Sequence, residues 1–196
     1  MDVRSKGYRA LLAQRLLAAQ FLNLHPDRER AINALIKWQM IYAGTTGFLT
    51  SFGGVITLPV AVPVNLGVVL CIQLRMIQAI AHLRGHDLKS DRVRGLAEAC
   101  LAGSSAIETV KEAGINITSK LTAQAIKKIP GTAVTKLNHA VGFRLLTKAG
   151  TRGIINLPKV IPIVGGLMSG AIDAGTTRAI GGAAKKIFTA IPSDNP

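Results

Sequence analysis

Apolar residues recur at helical spacing along most of this chain. Residues 5–23 place Leu12 and Leu16 near one face, and a spacing of three to four residues indicates an amphipathic helix. A second helix is predicted to start at the His-Pro-Asp of residues 25–27, because proline suits the first helical position and aspartate the first turn. Alternation with a period of two is nowhere convincing, so the pattern predicts an all-α fold.

A window from residue 38 to residue 74 contains no Asp, Glu, Lys, Arg or His. Pro59 and Pro63 interrupt it, and we expect the chain to break there, because proline lacks the amide donor that a helix interior uses. The break leaves a glycine-rich leg over 42–58 and a helix over 64–83. Each internal glycine costs a helix roughly 1 kcal/mol against alanine, so the first leg needs close packing. The window therefore predicts a Gly/Pro-rich apolar helical hairpin.

Glycines, prolines and capping residues divide the rest of the chain into further helices. Ser90 or Asp91 caps the first of them. Glycines end three of them, at Gly103, Gly114 and Gly150. The predicted ranges are 91–103, 104–114, 120–129 and 132–148, followed by a long apolar helix over 163–189. We expect one domain, a compact multi-helix bundle over 1–196, made of a helical pair over 1–39 and a core over 40–190.

Whether the charge-free window crosses a membrane decides which kind of function the chain has. A spanning helix needs about 20 consecutive apolar residues. The first leg has 17 residues with four glycines, and the second has 11 uncharged residues before Arg75. We therefore favour a hairpin buried at the centre of a soluble bundle. Two alternatives stay open: a permanent multi-pass membrane protein, and a soluble form that docks on or inserts into an anionic membrane.

Positive charge is concentrated in one part of the sequence. The net charge is +14, and the stretch between Glu112 and Asp173 holds 8 basic residues and no acidic one. Such a field attracts polyanions, whether nucleic acid, anionic lipid headgroups or acidic protein. We expect no specific nucleic-acid partner, because this stretch has only Phe143 as an aromatic residue for stacking on bases. The predicted basic surface consists of Lys120, Lys127, Lys128, Lys136 and Arg152.

The cysteines and the N-terminus favour a cytoplasmic protein. Two cysteines are present, Cys71 and Cys100, which is too few for a disulfide framework. The first residues, MDVRSKGYRALLAQRLL, include basic residues but no uninterrupted apolar stretch before a small-residue cleavage site. We therefore identify no secretory signal.

The segment HLRGHDLKSD carries the residue types of a metal site. His82 and His86 stand four apart, the spacing at which two histidines on a helix share a metal, and Asp87 and Asp91 follow them. The residue after the first histidine is leucine, so the general base of a metalloprotease is missing. The competing interpretation is a polar stripe on one face of a buried helix, formed by Arg75, Gln78 and His82. We expect no cofactor, because no phosphate-binding loop or nucleophile elbow is present.

Three stretches of the sequence resemble the EcsC family of bacterial proteins. They are GFLTSFGGVITLPVAVPVNL, QLRMIQAIAHLRGHDL and FRLLTKAGTRGIINLPKVIPIVGGLMSGAIDAGTTRAIGGAAKKIF, in the expected order over residues 40–188. The resemblance implies a helical, membrane-associated protein from a family named for a product encoded beside an ABC transporter, and it implies no particular reaction. The family often has an acidic residue where this chain has Asn65. The positions that match the family pattern are Gly53, Gly54, Gln73, Arg75, Gly85, Asp87, Arg144, Lys148, Asn156, Lys159, Gly165, Gly166 and Asp173.

Polar residues of these stretches form a candidate binding site, which consists of Gln73, Arg75, Arg144, Lys148, Lys159 and Asp173. Asp173 is the single acid of the long C-terminal helix. Because an unpaired buried carboxylate is costly, we expect Asp173 to pair with Arg144 or Arg178. The hypothesis of a shared site requires these side chains to converge in one cavity.

These observations favour a non-enzymatic peripheral membrane protein of the bacterial cytoplasm. It would bind anionic lipid or a membrane-protein partner at the inner face of the membrane, as an accessory to transport or secretion. One alternative is a metal-dependent hydrolase or lipid-modifying enzyme that uses the four His and Asp residues above. Another is a membrane-perturbing toxin or secreted effector whose hairpin inserts into a bilayer. The oligomeric state and the specific partner are left open by the sequence.

Overall fold

The computed structural model describes residues 3–50, 54–116, 122–155 and 162–191, with side chains described over 12–49, 66–116, 122, 124–143 and 167–191. These residues form eight α-helices and one short 3-10 turn, with no β-strand among them. The helices are α1 (Val3–Leu24), α2 (Arg28–Thr50), α3 (Gly54–Leu83), α4 (Asp91–Cys100), α5 (Ala106–Glu112), α6 (Ala123–Lys127), α7 (Gly131–Ile155) and α8 (Pro162–Ile187). The predicted all-α bundle is confirmed.

The long helices α2, α3 and α8 form the centre of the bundle. α2 packs most extensively against α8, and both helices also pack against α3. Gly181 of α8 faces Ile36 of α2, whereas Gly170 of α8 faces Gly44 of α2. Since residue numbers rise along one helix as they fall along the other, α2 and α8 are antiparallel. α1 packs on α3 and α2, and α4 joins α7 and α5 to the central helices.

The hydrophobic core lies between these helices. Fully buried side chains include Ile32 and Leu35 of α2, Met76 and Ile80 of α3, and Phe188 directly after α8. Their spacing of three or four residues within each helix is the spacing that directs side chains to one face. Burying a side chain of this size stabilises the fold by about 1.5–3 kcal/mol.

The apolar hairpin differs from its prediction at the two prolines. α3 is one helix of 30 residues that continues through Pro59 and Pro63, so the predicted break there was wrong. α2 continues to Thr50, and the turn between the two helices falls on 51–53, outside the described residues. A proline costs a helix interior about 3 kcal/mol. A long helix that packs against two neighbours keeps enough of its other interactions to offset that cost.

The second half of the chain follows most of the predicted boundaries. α4 begins at Asp91, and Gly103 and Gly114 have positive φ angles of 67° and 84° at chain reversals between helices. α6 is shorter than predicted and begins after Thr122, whose Oγ1 accepts from Ala125 N at 3.2 Å. α7 continues to its end at residue 155, so the predicted cap at Gly150 was wrong. Glycine permits a left-handed cap but does not require one.

Candidate functional site

The charge-free parts of the three central helices lie at the same end of the bundle. α2 has no charged residue after Lys37, α3 has none before Arg75, and α8 has none before Asp173. α2 runs towards this end, whereas α8 and α3 run away from it. Topology therefore brings the three uncharged segments together. We define the apolar end as residues 38–49 of α2, 66–74 of α3 and 167–172 of α8.

Large hydrophobic side chains of the apolar end are exposed. The exposed fraction is 62% for Leu49, 63% for Leu167 and 59% for Trp38. The other exposed large hydrophobic residues of this end are Ile41, Tyr42, Val68, Met168 and Ile172. Exposed apolar surface costs about 25 cal/mol for each Å² in contact with water. A group of such side chains on one end of a molecule is typical of a surface that meets a partner or a membrane.

One described segment, Leu66–Leu83 of α3, is long and apolar enough to cross a membrane, with a mean hydropathy of 1.7. Half of this segment is buried inside the bundle, and the core helix of a soluble protein meets the same criterion. Length and composition of this helix alone are therefore weak evidence for a membrane span.

A buried polar cluster lies at the inner border of the apolar end. Gln73 is 2% exposed, and its Nε2 donates to Thr177 Oγ1 at 3.1 Å. Thr177 Oγ1 donates in turn to the carbonyl oxygen of Asp173 at 2.7 Å. The Asp173 carboxylate is also buried, and it lies so close to Gly47 of α2 that a β-carbon there would overlap with Oδ2. Gln73 and Asp173, both predicted from the sequence, thus meet where α2, α3 and α8 join.

The other predicted binding residues have different positions. Arg75 is exposed on α3, outside the buried cluster. The side chains of Arg144 and Lys148, and the whole of Lys159, lie outside the described residues. Their convergence with Asp173 stays a prediction.

The predicted basic surface is exposed where it is described. Lys127, Lys128 and Lys136 of α6 and α7 are exposed, whereas Lys120 and the side chain of Arg152 lie outside the described residues. Further along α7, basic positions recur every four residues, at 144, 148 and 152. α8 begins seven residues after α7 ends, so the end of α7 lies within about 25 Å of the start of α8.

The two histidines of the predicted metal site have different environments. His82 is half-buried on the last turn of α3, where burial and then the nearby charge of Arg15 lower its pKa. His86 is buried in the loop that follows, with Nε2 at 2.9 Å from the carbonyl oxygen of Thr189 and its ring against Phe188. Burial lowers the pKa of His86 as well, and the charge of Arg84 adds to this effect, although the Thr189 carbonyl raises the pKa in part.

The two aspartates of that prediction have other roles. Asp87 is exposed, and its Oδ1 accepts from Lys89 N at 3.0 Å. Asp91 is exposed and forms an ion pair with Arg94. Within the described residues, no group of three or more His, Cys, Asp and Glu side chains is arranged to hold a metal ion. The structure therefore gives no support to a metal site at these four residues.

A cleft of about 200 Å³ opens at the opposite, charged end of the bundle. It lies between the second half of α1, the start of α2 and the end of α3, and Arg15, Arg28 and His82 line it. Sequence reasoning missed this cleft, because its basic residues lie on three different helices. The signal available beforehand was the turn at 25–27, which folds α1 back towards α2.

The fold and this distribution of side chains define an all-α bundle with a charged end, a buried polar cluster and an apolar end. Comparison with protein families matches residues 17–190 to the EcsC protein family. The chain belongs to the EcsC family, and the match includes α2 and the second half of α1 in addition to the stretches that resemble the family. Neither the search of curated proteins nor the search of solved structures found a match.

Proposed function

We propose that this protein is a peripheral membrane protein that binds the anionic lipid surface at the cytoplasmic face of the bacterial membrane. The apolar end enters the interface between headgroups and acyl chains, and basic residues beside it contact the headgroups. The role is non-enzymatic, that of an accessory at the membrane. The observation that carries this proposal is the meeting of three charge-free helix segments at one end, with their large side chains exposed.

Apolar burial supplies the first part of the attraction. Leu49, Leu167 and Trp38 are each more than half exposed in the soluble fold. Transfer of a large apolar side chain out of water is worth up to about 1.5–3 kcal/mol. Several such side chains on one end are enough for interfacial binding, and the buried polar cluster behind them keeps its hydrogen bonds within the bundle.

Electrostatic attraction supplies the second part. The protein has a net charge of +14, and each basic residue near an anionic membrane surface contributes about 1 kcal/mol. α7 has basic residues every four positions, at 144, 148 and 152, and it ends within about 25 Å of the start of α8. Two weak attractions acting together produce stable binding to a membrane, whereas either alone is marginal.

No observation on the described residues supports either of the two competing functions, an enzyme or a membrane-perturbing effector. An enzyme that uses a metal at His82 and His86 would need the two side chains to converge, and they face different surroundings. A membrane-perturbing effector would need the hairpin to leave the bundle. α2, however, packs most extensively against α8, which argues for a hairpin that stays in place.

Vesicle flotation tests the proposal with the full chain. We expect recovery with vesicles of phosphatidylcholine and phosphatidylglycerol, little recovery with phosphatidylcholine alone, and a decline as salt screens the charges. The double variant Leu49→Glu/Leu167→Glu places two charges in the apolar end. It should lower the partition coefficient on anionic vesicles about ten-fold or more, because two buried side chains are lost from the interface.

The matched control is Leu16→Glu/Leu24→Glu, which adds the same two charges to α1 at the charged end. Leu16 is 62% exposed and Leu24 is 66% exposed, so their exposure is close to that of the residues changed in the test variant. We expect this control to float like the unmodified protein. Equal recovery on neutral and anionic vesicles, no recovery at all, or an equal loss in both variants would contradict the proposal.

A further inference from the structure

The cleft at the charged end has the composition of a small anion-binding site. Two arginines and a histidine line it, together with apolar wall residues that include Leu22 and Leu83. Arg15 comes from α1, Arg28 is the first residue of α2, and His82 belongs to the last turn of α3. Three separate helices thus deliver nitrogen donors to one concave surface.

The two arginines of the cleft are not held in ion pairs within the described part of the chain. Neither Arg15 nor Arg28 forms an ion pair with a described residue, although acidic residues lie close in the sequence. Glu29 is held by Arg84 and by Lys185, the latter at 3.2 Å. Asp27 Oδ1 accepts from the backbone N of Arg30 at 2.7 Å and so caps α2. Glu29 is therefore ion-paired away from the cleft, and Asp27 uses one carboxylate oxygen to cap α2.

His82 brings a nitrogen donor to the same cleft as the two arginines. Burial lowers the pKa of His82, and the nearby charge of Arg15 lowers it further.

We propose that this cleft binds a phosphate group, carried by a small soluble phosphate monoester. Arg15 and Arg28 donate to the phosphate oxygens, and His82 donates one further hydrogen bond. Guanidinium groups match phosphate geometry with paired N–H donors, and such charge-assisted bonds are about twice as strong as neutral ones. A volume of about 200 Å³ is below that of sites for drug-sized molecules, so the ligand is small.

The position of the cleft separates this inference from the membrane proposal. The cleft lies between the end of α3 and the start of α2, whereas the apolar end is formed by the opposite ends of these helices. A protein bound to a membrane through its apolar end would thus hold the cleft away from the lipid. The phosphate site itself does not depend on the membrane proposal, whereas the soluble source of the phosphate rests on it, and each proposal has its own test.

Isothermal titration calorimetry with inorganic phosphate and with glycerol 3-phosphate tests the site in the full chain. We expect saturable binding of at least glycerol 3-phosphate in the millimolar range or tighter. The variant Arg15→Gln/Arg28→Gln should bind about ten-fold more weakly or worse, because it loses two charged donors. Arg15→Lys/Arg28→Lys keeps the charge and should recover part of the affinity. Both arginines are exposed, and circular dichroism will verify that the variants are folded.

The matched control is Arg94→Gln/Arg178→Gln, which removes the same charge from exposed positions that do not line the cleft. It should bind phosphate within about two-fold of the unmodified protein, because a distant exposed charge is screened by salt. Absence of saturable binding, or an equal loss in the control, would overturn the proposal.

Flotation on vesicles that contain phosphatidic acid distinguishes the two sources of a phosphate monoester. We expect Arg15→Gln/Arg28→Gln to float like the Arg94→Gln/Arg178→Gln control while it loses binding to glycerol 3-phosphate. A selective loss of flotation by the cleft variant would assign the phosphate to a lipid headgroup and overturn the soluble-ligand proposal. Failure of the membrane proposal appears instead as a lack of any anionic-vesicle binding by the unmodified protein.

Discussion

His86 connects the loop after α3 to the C-terminal segment. Its ring packs against Phe188 with centroids 5.2 Å apart, and its Nε2 lies 2.9 Å from the carbonyl oxygen of Thr189. The backbone adds a further link, since Ile191 N donates to the carbonyl oxygen of Arg84 at 3.0 Å. A carbonyl acceptor requires Nε2 to carry its hydrogen, so the neutral ring with that tautomer already satisfies the contact. Protonation would add a second N–H in a buried place.

This environment predicts a pH dependence of stability. Folding lowers the pKa of His86 from its ordinary value of 6.5, chiefly through burial. Between the two pKa values the unfolded chain binds more protons than the folded chain, so the free energy of unfolding falls as the pH drops below 6.5. His82 contributes with the same sign, because its pKa is also lowered. Urea unfolding measured at several pH values should show this decline.

The variant His86→Gln isolates the contribution of His86 to the pH dependence of stability. It should be less stable than the unmodified protein at neutral pH, and its free energy of unfolding should depend less on pH below 6.5. His139→Gln serves as the control, since His139 is exposed on α7. An unchanged slope in His86→Gln would show that His86 is not responsible for the acid sensitivity.

α2 and α8 approach each other closely because glycines face each other across their contact. A β-carbon at Gly170 would lie 2.7 Å from the backbone oxygen of Gly44, and one at Gly44 would lie 3.1 Å from the backbone oxygen of Gly170. Backbone atoms cannot rotate away as side chains do, so any larger residue must push the helices apart. The glycines that weaken α2 as an isolated helix thus make its packing against α8 possible.

Gly170→Ala should destabilise the protein by about 1–3 kcal/mol, because it overpacks a contact between two backbones. Gly175→Ala is a control in the same helix, since its β-carbon would meet nothing within 4 Å. That control should stabilise the protein by up to about 1 kcal/mol through helix propensity. Urea unfolding followed by circular dichroism gives both values. Equal stability of the two variants would mean that α2 and α8 are not in close contact.

The positions of most helices could be predicted because their signals are local, although the predicted separate leg over 42–58 is divided between α2 and α3. Residues 5–23 showed helical spacing, and Asp91 and Gly114 marked a start and an end that the structure confirms. The break predicted at Pro59 and Pro63 was wrong because propensity gives way to packing in a helix that has two neighbours. α7 also continues past Gly150, where the sequence predicted its end. Where the local signal for a helix boundary is weak, contacts with distant parts of the chain decide where the helix ends.

The whole molecule is divided into two ends with different chemistry. One end holds exposed hydrophobic side chains on uncharged helix segments, and the other holds an ion-pair group in which Glu29 meets Arg84 and Lys185. The single tryptophan, Trp38, stands at the border of the apolar end and directly follows Lys37. Tryptophan is the side chain that prefers the interface between lipid and water. It therefore reports on the orientation that the membrane proposal requires.

Trp38 fluorescence should shift to shorter wavelength when vesicles with phosphatidylglycerol are added, because the indole leaves water. Lipids that carry a quencher near the headgroup should reduce the emission, whereas the variant Leu49→Glu/Leu167→Glu should show neither effect. No second tryptophan complicates the signal. Flotation without any change in Trp38 emission would mean that the protein binds the membrane through a different face.

Residue order alone established the all-α class, the charge-free segments, the excess of positive charge and the family, because each of these depends on composition or on short spacings. It also selected Gln73 and Asp173 as polar residues inside apolar helices. The tertiary structure decided that three uncharged segments share one end, that Thr177 links Gln73 to α8, and that Arg15, Arg28 and His82 surround one cleft. These arrangements join residues that are far apart in the sequence. They follow from the antiparallel packing of α2 against α8 and of α3 beside both, which no local pattern encodes.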